Sequence, residues 1–285
     1  MYEITPKHDL LVAIDSDGCT FDTMELKHKE CFIPQFINHY ELQAVSKYAR
    51  ECWEFVNLYS KGRGSNRFQA LIDTLKLLRK RPEVVARGVR VEVPAALVVW
   101  VGRETRLGNP ALEAQVQATG DASLKQALVW SQAVNKSIAE MVRGAPPFPL
   151  VRESLEKLHA RADLIVCSAT PNEALRAEWH EHGIDTYVVD ICGQEIGTKN
   201  EVLGISQRYG ADKSLMVGDA PGDHAAAIAN GCLFFPINPG GEEASWRRFH
   251  DEGIERFLNG TFRGEYQQQL LGEFERRLPE RPSWE

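Results

Sequence analysis

The 285-residue sequence holds no hydrophobic run of membrane length. Its most apolar short stretch, Ala95–Val101, is about a third of the ~20 residues a spanning helix needs. Positive charge is in deficit: 33 Lys and Arg against 40 Asp and Glu leave −7 with His neutral. That balance argues against a protein whose main task is gripping nucleic acid or an anionic membrane. No Cys-x-x-Cys pair occurs among Cys19, Cys31, Cys52, Cys167, Cys192 and Cys232. Dispersed thiols of this kind read as reduced, buried cysteines of a cytoplasmic protein. The first nine residues, with Glu3, Lys7, His8 and Asp9, lack the pattern of a cleaved signal. Internal repeats and low-complexity segments are absent. So are nucleotide-binding glycine loops: Gly62-Arg63-Gly64 lacks a third glycine and follows no strand pattern, and there is no Gly-Lys-Ser/Thr. What remains, 43% hydrophobic and 26% charged, is ordinary globular composition with enough chain for one large domain or two modest ones.

Against that background, five short apolar runs stand out, each halted by a polar or turn residue. Leu10 to Ile14 stops at Asp15, Leu164 to Cys167 at Ser168, and Tyr187 to Val189 at Asp190. Leu215 to Val217 stops at Gly218-Asp219, and Cys232 to Phe235 at Pro236. Runs of this length predict strands buried on both faces of a parallel sheet. Helical patterns over about 149–161, 171–182, 199–209 and 222–230 separate the later ones, which predicts repeated βαβ units. One segment interrupts the alternation. From Asp22 to about Pro147 the periodicity is helical, with Phe68, Leu71, Ile72, Leu75 and Leu78 on one face of a helix starting near Ser65-Asn66. A second helix is predicted over 123–142, with Leu124, Leu128, Val134, Ile138 and Met141 inward and Ser123 as its start signal. The chain therefore reads as an α/β core of residues 1–22 and 148–285 around a mostly helical insert, 23–147. Residues 241–285 form a C-terminal helical extension of that core.

Ligands of open α/β sheets bind beyond the carboxyl ends of the strands. Asp15 and Asp17, Ser168, and Asp219 would converge there from distant parts of the chain. Three carboxylates and a hydroxyl suit the holding of a hard divalent cation such as Mg²⁺ against a phosphate. Taken alone, Asp15-x-Asp17-Gly18 is also ordinary turn composition. It is not an EF-hand, since the preceding segment is β-like and the Asp/Glu spacing fails.

Ile14-Asp15-Ser16-Asp17-Gly18 with Asp22 downstream, Ser168 after a strand, Lys199 opening a helix after Gly197-Thr198, and Gly218-Asp219-Ala220-Pro221-Gly222-Asp223 together resemble the four ordered motifs of the haloacid dehalogenase superfamily. The resemblance covers 9–22 and 149–236. It departs from the family pattern at Cys19, where Thr is usual. It implies a three-layer, Rossmann-like core with a helical cap inserted after the first motif. It also implies a phosphoryl-transfer site. Asp15 would be the nucleophile and Asp17 the general acid, then base. Mg²⁺ would be held by Asp15, Asp17 (through its backbone carbonyl) and Asp219, while Ser168 and Lys199 bind the phosphoryl group. Thr170 is a rival for the place of Ser168. Asp223 reads either as a carboxylate supporting the metal or as an acidic residue near a helix N-terminus, and Asp22 as a hinge or cap at the entry to the insert.

Within the insert, Ser60 to Arg67 combines glycine flexibility with Lys61, Arg63 and Arg67 ahead of a helix start. Arg63 and Arg67 are accordingly expected to bind a second anionic group of the substrate. A solvated basic loop would look the same. The expected activity is Mg²⁺-dependent hydrolysis of a small phosphorylated metabolite, with phosphomutase or phosphonate hydrolase as alternatives on the same fold and a non-catalytic ligand-binding module as an alternative of another class. The aromatics Trp246, Phe249, Phe257, Phe262 and Tyr266 could line a homodimer surface or pack a helix onto its own core.

Overall fold

The computed structural model describes residues 2–210 and 212–285. The chain divides into two compact units, one of residues 1–24 and 143–279 and the other of 25–142 and 280–285. The sequence reading put all of 148–285 in the α/β core. The last six residues belong instead to the helical unit, where Trp284 lies edge-on to Phe55, ring centroids 5.8 Å apart, and its ring is 4.2 Å from the Arg81 guanidinium. A short polar tail gives no periodic signal by which to assign it.

The first unit contains a five-stranded parallel sheet: β1 (Leu11–Ile14), β2 (Asp163–Cys167), β3 (Asp190–Cys192), β4 (Ser214–Gly218) and β5 (Leu233–Pro236), in the order β3-β2-β1-β4-β5. Every residue of β1, β2, β4 and β5 is buried, because helices cover both faces. Side-chain alternation sorts the strands into two cores. Val12, Ile14, Leu164, Val166, Leu215, Val217 and Phe235 pack with Leu155, Trp179, Trp246 and Phe249. Leu11, Ala13, Ile165, Met216 and Phe234 pack with Leu203, Ala227 and Phe274 on the other side. The result is three layers. Trp246, Phe249, Phe257 and Phe262 are almost wholly buried within this unit, so these rings belong to its own core and not to an open surface. Each contributes about 1.5–3 kcal/mol by leaving water.

The third strand differs from expectation. Tyr187 ends a 3₁₀ turn, Asp185–Tyr187, and β3 begins only at Asp190. At this edge position a pure apolar run is not required: Val189 stays 41% exposed, while Asp190 pairs with Arg176 at 3.0 Å. The helix expected over 199–209 is α-helical only across Lys199–Leu203 and tightens to 3₁₀ from Gly204.

One buried carboxylate ties the N-terminal segment to this unit. Asp163, at the start of β2, accepts hydrogen bonds from the N–H of Lys7 (2.9 Å) and of His8 (3.3 Å), and from Tyr209 Oη (2.8 Å), and its other oxygen lies 3.0 Å from His8 Nδ1. Burial would raise its pKa, but these donors outweigh it and hold the carboxyl below its ordinary range. A depressed folded pKa means stability that is present above the unfolded value of about 4 and is lost as pH falls through the folded value. Asp163→Asn is expected to destabilise the protein by about 2–3 kcal/mol at neutral pH. The deficit should shrink below about pH 4, as followed by urea unfolding across pH; a deficit constant with pH would refute this origin.

The second unit is helical, with Ser46–Leu58, Arg67–Lys80, Asn109–Thr119 and Ala122–Met141 as its longer elements. Its core gathers Phe32, Phe36, Trp53, Phe68, Leu71, Leu75, Trp100 and Trp130. The Asn66 side chain caps the helix Arg67–Lys80 by accepting from Phe68 N–H at 3.0 Å. The predicted helix over 123–142 starts at Ala122, and its cap is Asp121, not Ser123: Asp121 accepts from the N–H groups of Ser123 (2.8 Å) and Leu124 (3.0 Å). Met141, expected inward, is 49% exposed because the last turn runs past the core. Ala95–Val101 is a short helix, with only Leu97 and Trp100 buried. No helix among the described residues is long and apolar enough to cross a membrane. All six cysteines are buried and free.

Candidate functional site

The register brings the strand ends abreast: Ile14 pairs with Val166 on one side and Val217 on the other. Residues just beyond these positions must therefore meet at one edge of the sheet. β1 lies where the strand order turns from leftward to rightward, the switch point at which doubly wound sheets open a crevice. Asp15 leaves β1 with its N–H still bonded to Val217 O (3.0 Å), then enters a tight turn in which Gly18 has φ +77°. The turn is stitched by Phe21 N–H to Ser16 O (3.0 Å), and by Thr20 Oγ1 donating to Asp15 O (2.7 Å). Thr20 thus provides the hydroxyl that the neighbouring Cys19 lacks. The Cys19 thiol is turned inward instead, 3.6 Å from Val217 O, where burial pushes its pKa well up.

Asp15, Asp219 and Asp223 each present a carboxylate oxygen within 4.8 Å of the others, and all three residues are buried. Lys199, the first residue of its helix, puts its ammonium 2.7 Å from Asp15 Oδ2 and in contact with Asp223 Oδ1. The Thr198–Glu201 capping box aims that helix start. Asp223 Oδ2 accepts from the N–H groups of Asp219 (3.1 Å) and Ala220 (3.0 Å). Gly218 makes this approach feasible, since a Cβ there would sit 2.5 Å from Asp223 Oδ2. Burial, and then repulsion from Asp223 and Asp219 against the attraction of Lys199, leaves the Asp15 carboxyl well above its ordinary pKa. Lys199 is held well above its own, the two carboxylates overcoming its burial. Three buried carboxylates facing one ammonium leave an excess of negative charge, and three hard oxygens at this spacing fit a divalent cation of the Mg²⁺ class.

The carboxylate of Asp17 is not part of this triad. It accepts from Thr170 Oγ1 at 2.6 Å and from the Thr23 hydroxyl. Thr170, the rival to Ser168, is thereby occupied with Asp17. Ser168, 5% exposed, stands directly after β2 with its N–H bonded to Cys192 O (3.0 Å) and its Oγ accepting from Thr170 N–H (3.3 Å). The α/β unit thus assembles Asp15, Asp219 and Asp223 in mutual reach, with Lys199 against Asp15 and Asp223 and with Asp17 and Ser168 on the adjoining loops. Arg63 and Arg67 belong to the helical unit. Arg63 is buried and donates from Nη1 to Leu58 O (3.0 Å); Arg67 opens the helix Arg67–Lys80. Missed at the sequence level were Thr20, Thr23 and the part of Thr170 in holding Asp17. No spacing rule separates such hydroxyls from ordinary turn residues, and only the packed loops show what they donate to.

Fold and site together define a doubly wound α/β protein with a buried acidic site at the switch point of its sheet. No family model and no curated protein matches the chain. Solved structures similar to it include a hydrolase of the haloacid dehalogenase superfamily, subfamily IA, variant 1, from Geobacter sulfurreducens (17% identity, 81% of this chain and 88% of that one, TM-score 0.40). Another is a predicted phosphoglycolate phosphatase from Haemophilus somnus (14% identity, 81% and 86%, TM-score 0.47). A third is a hydrolase of the haloacid dehalogenase-like family from Streptococcus pneumoniae (14% identity, 85% and 91%, TM-score 0.40).

Proposed function

We propose that the protein is a Mg²⁺-dependent phosphatase of the haloacid dehalogenase type, hydrolysing a small phosphorylated metabolite through an aspartyl-phosphate on Asp15. The observation that carries this reading is the buried triad of Asp15, Asp219 and Asp223 beside Lys199. Asp15 and Asp219, with Asp223 behind them and the Asp17 carbonyl that the resemblance adds, would hold Mg²⁺. The ion supplies positive charge that offsets the repulsion between carboxylate and phosphate.

The chain's own groups divide the rest of the work. An Asp15 oxygen attacks phosphorus as the bond from phosphorus to the ester oxygen breaks, and the leaving alkoxide takes a proton from Asp17. Asp17 then accepts a proton from water, whose oxygen attacks phosphorus; the bond to Asp15 breaks and inorganic phosphate leaves. Thr170 and Thr23 hold the Asp17 carboxyl in one orientation through both steps. Ser168 Oγ would bind a phosphoryl oxygen, and Lys199 keeps Asp15 oriented while adding a charge that favours the transition state.

The test is hydrolysis of p-nitrophenyl phosphate and of a panel of phosphorylated metabolites, with Mg²⁺ and with a chelator. Turnover should appear with the metal and fall at least about 10²-fold without it. Equal rates under both conditions, or no turnover of any compound in the panel, would refute the reading. A mutase would show itself by moving phosphate within a sugar phosphate without net release.

A further inference from the structure

The guanidinium of Arg81, buried in the helical unit, is compensated. Arg81 pairs with Glu51 and, at 3.1 Å, with Glu83, and stacks against the rings of Tyr48 and Trp284. Arg67, half-buried, is held differently. Its Nη1 donates only to neutral acceptors: Ser131 O (3.3 Å), Ser131 Oγ (3.0 Å) and Asn135 Oδ1 (2.6 Å). Its guanidinium carbon lies 5.1 Å from the centre of the Phe32 ring. No carboxylate among the described residues pairs with it, and burial alone pulls its pKa down to about 10.

A guanidinium partly withdrawn from water is costly to keep without a partner. It is also held rigidly. The Ser131 hydroxyl donates onward to Asn109 Oδ1 at 2.6 Å, which turns its lone pairs toward Arg67. One nitrogen of the fork is pinned by three acceptors, while Nε and Nη2 make no hydrogen bond to any described residue. A fixed fork with two unused donors is the geometry that takes an oxyanion on two parallel N–H bonds.

We propose that Arg67 forms an oxyanion site in the helical unit, taking a carboxylate or phosphate group of a small molecule on Nε and Nη2. Phe32, Ser131 and Asn135 position the fork, and Arg63 is not part of the site. The site stands whether or not the phosphatase reading holds, because its test uses no catalysis.

The full-length protein is treated with phenylglyoxal, alone and with malonate or inorganic phosphate as probe, and the modified arginines are mapped by mass spectrometry. Labelling of Arg67 should fall about threefold at a probe concentration about twice its dissociation constant. Arg90, whose side chain is 88% exposed, should be unaffected. In parallel, the rise in Tm that the probe gives the wild type should shrink in Arg67→Met. Should that variant not fold, Arg67→Lys, which keeps the charge and loses the fork, replaces it. Protection by malonate alone or phosphate alone supports the site and names the group it prefers. Labelling of Arg67 that neither probe changes, no labelling of Arg67 at all, or an undiminished Tm gain in the variant would each overturn the proposal.

Discussion

Asp15→Asn is expected to lower phosphatase turnover by about 10⁴-fold or more and, in metal-free protein, to raise Tm. The two effects have one cause. An amide of the same shape keeps the hydrogen bond from Ser16 N–H at the Oδ1 position, 2.8 Å in the wild type, but has no charge with which to attack phosphorus. The charge it removes is the one that burial and the neighbouring carboxylates disfavour. A group whose folded pKa lies above its unfolded value costs stability wherever it must ionise, so at neutral pH the amide relieves that cost. Each 1 kcal/mol recovered moves Tm by about 2–4 °C in a chain of this size. Turnover of p-nitrophenyl phosphate and a calorimetric scan with a chelator present check both halves. Retained turnover would remove Asp15 as nucleophile; a fall in Tm would show that the ion pair with Lys199 outweighs the repulsion. Stability set against activity is what a site built for charge rather than for packing should display.

Lys199→Met should be the more damaging substitution for the fold. Among the described residues it removes the only ammonium that touches Asp15 and Asp223, and it leaves three buried carboxylates facing one another. Deleting one partner of a buried pair costs about 3–5 kcal/mol, since the remaining charge stays desolvated. The loss should be largest in metal-free protein. Mg²⁺ should then raise the Tm of the variant by more than it raises that of the wild type, because a bound cation supplies part of the missing charge. Turnover with Mg²⁺ should still fall by about 10²–10³-fold, for want of a fixed donor near the reacting oxygen. Equal Mg²⁺-induced shifts in variant and wild type would argue that the carboxylates do not share an ion.

Much of this site could be read along the chain because its parts sit where strands end. Apolar runs stopping at Asp15, Ser168 and Gly218-Asp219 mark the edge of a parallel sheet, and the sheet carries those residues to one place. Lys199 was legible through the Thr198 start signal of its helix, a local capping chemistry. Asp223 was ambiguous because an acidic residue in a first helical turn favours the helix dipole whether or not it also meets Lys199. The edge strand β3 was misplaced because an edge needs less apolar sequence, so Val188-Val189 outweighed Asp190-Ile191 in the pattern. The tail 280–285 was unreadable because its partners, Lys61, Arg81 and Phe55, lie some two hundred residues earlier in the chain.

Periodicity and punctuation are properties of neighbouring residues, so the sequence by itself determined the α/β class, the helical insert and the strand-end positions of Asp15, Ser168 and Asp219. Charge balance is a property of space. Only the tertiary structure decided that Asp223 joins Asp15 and Asp219, that Asp17 is held by threonine hydroxyls, and that Arg67, unlike Arg81, has no carboxylate among the described residues to answer it.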